Sequence, residues 1–112
     1  MLPSNHRLRK RKDFSALLQS GRSFSTQEFS LRVIRNGLSE TRIAVSVSKK
    51  FSKKAVERNT ARRRVREIFR LHLGRIQSGF DILFVARLPL KGMHYRDIEA
   101  LLLAALKTTR LI

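Results

Sequence analysis

The chain has 112 residues and a formal net charge of +17, because 25 Lys and Arg residues stand against 8 Asp and Glu residues. This charge predicts attraction to phosphate, and a hydrophobic content of 42% predicts one folded domain over residues 1–112 rather than a disordered chain. The absence of cysteine excludes disulfides and cysteine-ligated zinc, and neither a membrane-length apolar run nor a signal-peptide core is present, so we expect a cytoplasmic protein with no membrane partner.

The N-terminal part of the chain predicts a basic arm followed by a short helix. Residues 1–12 are rich in Arg and Lys, and we expect them to form an irregular arm that becomes ordered on a partner. Asp13 suits the cap of the following helix, whose apolar positions include Phe14 and Leu17. Gly21 stands where a helix C-terminal glycine is common, so the helix has about two turns.

Alternating segments on either side of a turn signal predict β-structure next. A brief strand is expected at residues 22–24. Apolar residues alternate with polar ones in Phe29–Arg35 and again in residues 42–48, which is typical of strands with one buried face. Asn36 and Gly37 between them form a strong turn signal, so we expect the two strands to pair as an antiparallel hairpin.

The segment from residue 52 to residue 72 predicts the longest helix and the most basic surface. At about 100° per residue, its apolar side chains fall on one arc. This arc consists of Ala61, Val65, Ile68 and Phe69. The opposite side carries Asn59, Arg62, Arg63, Arg66 and Arg70. Like charges four residues apart cost about 0.2–0.5 kcal/mol per pair in an isolated helix, so a row of them with few acidic partners indicates an external polyanion, and we infer nucleic acid.

The C-terminal part predicts a buried strand and a final helix. Residues 80–87 are nearly all apolar, which suits a central strand covered on both faces. Residues 97–106 place apolar side chains at helical spacing. The order of elements is helix, two or three strands, long helix, strand, helix. This order predicts a single α+β domain, an α/β sandwich in which three helices pack on a mixed sheet of about four strands.

The sequence contains no recognisable catalytic or metal-binding set. The histidines, His6, His72 and His94, lie in the arm, at a helix end and in a loop, and none shares helical spacing with a carboxylate in a metal-binding pattern. The 8 carboxylates form no signature for two-metal phosphodiester cleavage, and the glycines form no phosphate-binding loop. We therefore expect no catalytic residue, bound metal, cofactor or small-molecule substrate for the chain itself.

The positive signal is a binding surface on the predicted sheet. It comprises the polar residues of the alternating strands and the cations after them, namely Ser30, Arg32, Ser46, Lys49 and Lys50. Hydroxyls and cations beside an aromatic ring suit single-stranded RNA, which is recognised by stacking and by contacts to base edges. Phe14 is either that aromatic residue or part of the core. Asn59 is either a surface residue or an amide that contacts an RNA backbone.

Several phrases of this sequence resemble the protein subunit of bacterial ribonuclease P. The family pattern has a strand that ends in Val-Ser/Ala-Lys-Lys and then a helix with Arg-Asn-Arg and further basic residues. The matching residues here are Val47, Ser48, Lys49, Lys50, Arg58, Asn59, Arg62, Arg63 and Arg66. The opening RLRKRKDF, with Phe14 in the aromatic position, and the later GFDILFVAR are also similar, so the likeness covers nearly the whole chain. Thr60 departs from the pattern, which has its second arginine there.

This resemblance implies a protein that assists a catalytic RNA. The RNA subunit would carry the active site and require Mg²⁺, and the protein would bind that RNA through its basic helix. The residues implied in this contact are Lys53, Lys54, Arg58, Asn59, Arg62, Arg63, Arg66 and Arg70. The protein would also hold the 5′ leader of precursor tRNA between the sheet and the first helix, supporting removal of the leader to give the mature 5′ end. The residues implied there are Phe14, Ser30, Arg32, Ser46, Lys49 and Lys50.

The resemblance also implies a topology, a left-handed βαβ crossover around the long helix, which is rare in general. Arg32 stands where the family often has an aromatic residue, so stacking on the leader would be weaker and phosphate pairing stronger. Composition alone also suits a small ribosomal protein or an RNA chaperone on a similar scaffold. An independent nuclease is disfavoured by the missing acid/base set.

Overall fold

The computed structural model describes residues 2–112, and Met1, the first residue of the predicted arm, lies outside them. Within this range the elements are α1 (Arg11–Ser20), β1 (Arg22–Ser25), β2 (Phe29–Arg35), β3 (Arg42–Ser46), α2 (Ala55–His72), β4 (Phe80–Ala86) and α3 (Tyr95–Thr108). Short 3₁₀ turns occur at Ser4–His6, Leu73–Arg75 and Leu88–Leu90. Three helices and a four-stranded sheet confirm the predicted α+β class and the predicted order of elements.

β4 lies in the interior of the sheet, whose strand order is β1-β2-β4-β3. It runs antiparallel to β2 and parallel to β3. The predicted antiparallel hairpin is therefore wrong, because β4 lies between the two strands that were expected to pair. Nearly every residue of β4 is buried, and an interior position removes more of its apolar surface from water than an edge would. Asn36 and Gly37 begin the connection over residues 36–41, with Gly37 at φ 71°, but the amide of Asn36 donates to the carbonyl of Gly79, just before β4.

The crossover from β3 to β4 passes through α2 and places this helix on one face of the sheet. The apolar arc predicted for α2 is buried, as expected, at Ala61, Val65, Ile68 and Phe69. Phe69 meets Phe84 of β4 edge to face, with 6.3 Å between the ring centroids, and Phe84 stacks on Phe29 at 4.8 Å. α3 joins the same core through Ile98, Leu102, Ala105 and Leu106. The parallel βαβ unit agrees with the resemblance, and its left-handed sense stays a prediction.

α1 covers part of the opposite face of the sheet. Leu17 of α1, Leu8 and Leu83 of β4 form a second, smaller core, against which Phe14 packs with part of its surface exposed. Gly21 ends α1 as predicted, and the reason is a close approach: a Cβ atom at Gly21 would lie 2.5 Å from the carbonyl oxygen of Leu17. The sheet is thus covered by α2 and α3 on one side and by α1 on the other.

The N-terminal segment is not a free arm. Leu2 and Leu8 are buried, and the amide of Leu8 donates to the carbonyl of Ile43 on the outer edge of β3 at 3.0 Å. Residues 2–10 are irregular outside the 3₁₀ turn and an isolated bridge at Arg7, as predicted. The expectation that this segment becomes ordered only on a partner is wrong, because two leucines within the basic stretch anchor it to the domain. α1 begins at Arg11, so Asp13 lies in its first turn and is not its cap.

Candidate RNA interface

The outer side of α2 gathers most of the basic residues predicted there. Because the apolar arc faces the core, Arg63 and Arg66 are exposed on the other side. Arg62 donates from Nη1 to Oδ1 of Asn59 at 2.7 Å. These side chains and Glu67 line a shallow groove of about 420 Å³, called here the α2 groove. Guanidinium groups with an amide beside them suit the phosphate backbone of RNA.

Backbone carbonyls hold two of the arginines of α2 in place. Arg58 is half-buried and donates from Nη1 to the carbonyl of Ser52 at 2.9 Å. Arg62, also half-buried, extends Nη2 to within 3.5 Å of the carbonyl of Val47. A side chain that is already ordered loses less rotamer freedom when it binds a ligand, so these two arginines are prepared for an anion.

Sequence reasoning missed Arg7 as a neighbour of the α2 groove. Its backbone bridges to Ile43 on the edge of β3, and its Nε is buried without a hydrogen-bond partner among residues 2–112. Burial, together with the nearby charges of Arg62 and Arg7, lowers the pKa of Arg66 below its usual value. The three guanidinium groups therefore repel one another, and an anion would relieve that repulsion. The basic opening phrase was the only signal in the sequence, and it does not by itself place Arg7 beside α2.

Lys53, Lys54 and Arg70 extend this surface to the two ends of α2. Lys54 precedes the helix, and Lys53 is exposed next to it. Arg70 lies in the last turn, where an exposed ion pair with Glu67 raises the pKa of Arg70. Since α2 has 18 residues, the surface is about 27 Å long. Thr60 is half-buried and lines a mostly apolar hollow on another flank of the helix, apart from the α2 groove.

On the other face of the sheet, the strand register brings the predicted hydroxyl residues into one row. Ser30 and Ser46 both lie opposite Val85, one on each side of it. Ser25, which sequence reasoning did not single out, continues the row as the partner of Ser30 on β1. The hydroxyl row crosses three strand spacings and is about 14 Å wide. The sequence predicted Ser30 and Ser46 but placed them on paired strands, whereas β4 separates them.

Arg32 and Phe14 connect this face of the sheet to α1. Arg32 lies opposite Leu83, one row further along the strands. Its Nη1 donates to the carbonyl of Leu18, near the end of α1, at 3.1 Å. Part of its hydrogen-bonding capacity is therefore used by the fold. Phe14 packs on the small core and keeps part of its surface exposed, so its two interpretations, core residue and cleft residue, do not exclude each other.

Lys49 and Lys50 lie in the turn after β3, at the end of the sheet that carries Ser46. Both lysines are exposed. Together with Lys53 and Lys91 they border an open hollow of about 650 Å³. Because Lys53 also belongs to the set predicted on α2, this lysine hollow joins the hydroxyl row to the surface of α2.

Several carboxylates make contacts within the fold. Asp81 is buried and accepts hydrogen bonds from Nε and Nη2 of Arg42 at 2.9 and 2.8 Å. Glu99 contacts His72 at 2.8 Å. Across residues 2–112, no group of three or more His, Cys, Asp or Glu side chains is placed to hold a metal ion. In the same part of the chain, no helix is both long enough and apolar enough to cross a membrane. The surfaces described above supply cations, hydroxyls and amides, the groups that proteins use to bind RNA.

A cationic helix and a hydroxyl-lined sheet face on one α+β domain place this chain in the class of RNA-binding proteins. Comparison with known families then identifies the family. The model of the family described as Ribonuclease P matches residues 2–110, and the chain belongs to this family. RNA binding and a role in tRNA processing are the known functions of the family, which decides against the alternative of a ribosomal protein or RNA chaperone.

Relatives resemble the chain over almost its full length. The ribonuclease P protein component of Alkaliphilus metalliredigens (strain QYMF) is 35% identical over 111 residues, which cover 99% of this chain and 99% of the relative. That of Streptococcus pneumoniae (strain Hungary19A-6) is 32% identical, over 98% of this chain and 89% of the relative. Among solved structures, the RNase P protein of Staphylococcus aureus matches with a TM-score of 0.87 and 33% identity, over 95% of this chain and 96% of its own. The RNase P protein from Thermotoga maritima matches with a TM-score of 0.83 and 36% identity, over 91% and 96%.

Proposed function

We propose that this chain is the protein subunit of a cytoplasmic ribonuclease P holoenzyme and that it binds two RNA molecules on separate surfaces. The α2 groove, with Arg7 beside it, binds the RNA subunit, which carries the active site and requires Mg²⁺. The hydroxyl row, with its neighbours, binds the 5′ leader of precursor tRNA. These neighbours are Phe14, Arg32, Lys49 and Lys50. The holoenzyme then removes the leader to give the mature 5′ end of the tRNA.

The arrangement of cations on α2 carries this proposal. The buried arc fixes the orientation of the helix, so Arg62 and Arg66 face outward together and Asn59 lies beside them. The lowered pKa of Arg66 reflects first its partial burial and then repulsion from Arg62 and Arg7. Bound phosphate groups would remove that repulsion and release counterions, which favours binding at low salt. Such a site suits a structured polyanion better than a small neutral ligand.

The geometry of the second surface supports binding of a single strand. The hydroxyl row is about 14 Å wide and has exposed lysines at one end and a partly exposed aromatic ring near it. Hydroxyls and an aromatic ring offer hydrogen bonds and stacking to unpaired bases, and lysines attract the backbone. The 5′ leader is the unpaired part of the precursor and is absent from mature tRNA, so this surface would distinguish the two.

The identity of the RNA bound to the protein in cells is the observation that tests this function. We expect purification of the native complex, followed by sequencing of the bound RNA, to yield one dominant structured RNA of the catalytic-subunit type. The matched control is the Arg62→Glu/Arg66→Glu variant, from which that RNA should be largely lost. Recovery of ribosomal RNA alone would contradict the proposal.

A further inference from the structure

A second concentration of cations lies at the end of the sheet opposite Lys49 and Lys50. Here the start of β1, the end of β2 and the end of α3 meet around a cavity of about 550 Å³. The cavity, called here the arginine pocket, has a polar and aromatic lining that includes Arg22, Arg35, Gln77, Phe80, Thr109 and Arg110. Three guanidinium groups from three separate elements thus border one cavity, and no carboxylate lines it.

The cations of the arginine pocket have few partners of their own. In the described residues 2–112, none of the three arginines forms an ion pair. Arg22 reaches only the carbonyl of Thr109, at 3.5 Å, and Arg35 lies over the ring of Phe80, 5.1 Å from its centroid. The dipole of α3 accounts for Arg22 near the helix C-terminus. The helix dipole does not account for Arg35, because Arg35 ends β2 and lies over the ring of Phe80.

Arg110 occupies a backbone position that usually belongs to glycine. It follows α3 with φ 61°, in the left-handed region. The amide of Arg110 donates to the carbonyl of Lys107 at 3.0 Å, and that of Leu111 donates to the carbonyl of Leu106 at 2.8 Å. These bonds define a helix-ending motif in which glycine is preferred, because other residues are strained there. A strained arginine at the mouth of a cationic pocket indicates that its side chain has a use.

We propose that the arginine pocket binds a phosphodiester group of RNA. Guanidinium groups match phosphate oxygens in pairs, and the side-chain amide of Gln77 adds a neutral donor, whereas the hydroxyl of Thr109 already donates to the carbonyl of Ala105. The inference rests on the proposed function, because it takes the bound RNA as given and assigns it a further contact. Arg35 lies along β2 from Ser30 of the hydroxyl row at a distance of about 17 Å, so the contact is separate from that row. The phosphate can come from the RNA subunit or from precursor tRNA, and the experiment distinguishes these sources.

The variant Arg110→Gly gives the sharpest test, because glycine fits the left-handed backbone and removes only the side chain. We expect its melting temperature to be unchanged or a few degrees higher, whereas its affinity for RNA falls. The slope of log affinity against log salt should decrease by about 0.7–0.9. The loss of affinity between 50 and 200 mM salt should therefore be about threefold smaller for the variant than for the unchanged protein. Arg22→Gln/Arg35→Gln should decrease the slope further. The probes are the transcribed RNA subunit with the protein alone, and precursor tRNA with the reconstituted holoenzyme.

Arg96→Ala is the matched control, since it also removes one positive charge but lies on an exposed part of α3 outside the pocket. A decrease in slope confined to the RNA-subunit assay assigns the phosphate to that subunit, and one confined to the precursor assay assigns it to the substrate. If Arg110→Gly and Arg22→Gln/Arg35→Gln change neither slope more than Arg96→Ala does, the proposal is overturned. The Arg62→Glu/Arg66→Glu variant in the same assays separates this result from failure of the proposed function, because its binding must still fall if the α2 groove contacts RNA.

Discussion

Phe14 illustrates how one residue serves both the fold and the proposed cleft. Its ring packs on the core of Leu8, Leu17 and Leu83, yet it is only partly buried. Periodicity in the sequence cannot separate these roles, since a short helix places a core residue and an edge residue on the same side. In the structure, α1 covers only part of its sheet face, and a residue at the margin of that cover contacts both protein and solvent.

The variant Phe14→Ala should weaken binding of precursor tRNA to the holoenzyme more than binding of mature tRNA, because only the precursor has a leader. Base–aromatic stacking is worth about 1–3 kcal/mol, so we expect a loss of about tenfold or more in precursor affinity. Affinity measurements for both tRNAs, with thermal unfolding of the free protein, check this. The control is Leu17→Ala: Leu17 is fully buried, so its truncation should cost about 2–5 kcal/mol of stability and affect both tRNAs equally. The same behaviour from Phe14→Ala would make Phe14 a core residue only.

At the scale of elements, the most direct prediction concerns the charged side of α2. Arg62→Glu/Arg66→Glu should weaken binding to the RNA subunit. It should also decrease the slope of log affinity against log salt by about 0.7–0.9 for each lost phosphate contact. The fold should persist, because the substituted side chains lie opposite the buried arc. Circular dichroism and binding at several salt concentrations check both points. The control, Arg96→Glu/Lys107→Glu, makes the same change in net charge on exposed positions of α3. Loss of helical signal in the α2 variant would show that its faces are wrongly assigned.

The contrast between α2 and the sheet shows what the sequence can predict. The two faces of α2 follow from helical periodicity within a single segment, so all four buried positions were predicted. Strand neighbours depend on residues far apart in the chain: Arg35 of β2 pairs with Phe80 of β4, not with β3. The turn at Asn36 is a local signal and says nothing about which strand comes next to β2. The double-sided burial of residues 80–87 was the better clue, since a central strand must separate its neighbours.

The same limit applies to the candidate site. Cations on α2 and hydroxyls on the strands were predicted, because charge and alternation are local properties. Arg7 beside α2 and the three arginines of the arginine pocket were not grouped, because each comes from a different element. Two buried leucines, Leu2 and Leu8, fix where Arg7 lies, and a basic stretch with two leucines in it does not reveal by composition that they are anchors.

At the scale of the whole molecule, the sheet separates the two surfaces that we propose bind RNA. α2 packs on one face of the sheet, and the hydroxyl row lies on the other, beside α1. The lysine hollow connects them around the end of β3. A net charge of +17 thus lies on a domain of 36 × 27 × 25 Å whose two faces can contact different RNA segments at the same time. This arrangement suits a protein that holds a substrate strand against a larger RNA.

A protein with this division of labour should be inert without its RNA. We expect the RNA-free protein to leave precursor tRNA intact in the presence of Mg²⁺, and cleavage to appear when the transcribed RNA subunit is added. The physical reason is that several of the few carboxylates make contacts within the fold: Asp81 binds Arg42, Glu67 binds Arg70 and Glu99 contacts His72. The measurement is the appearance of the released leader, after nuclease treatment and high-salt chromatography have removed bound RNA. Arg62→Glu/Arg66→Glu is the control for reconstitution and should require more RNA subunit for the same rate. Multiple turnovers by protein shown to be free of RNA would contradict the assignment of catalysis to the RNA subunit.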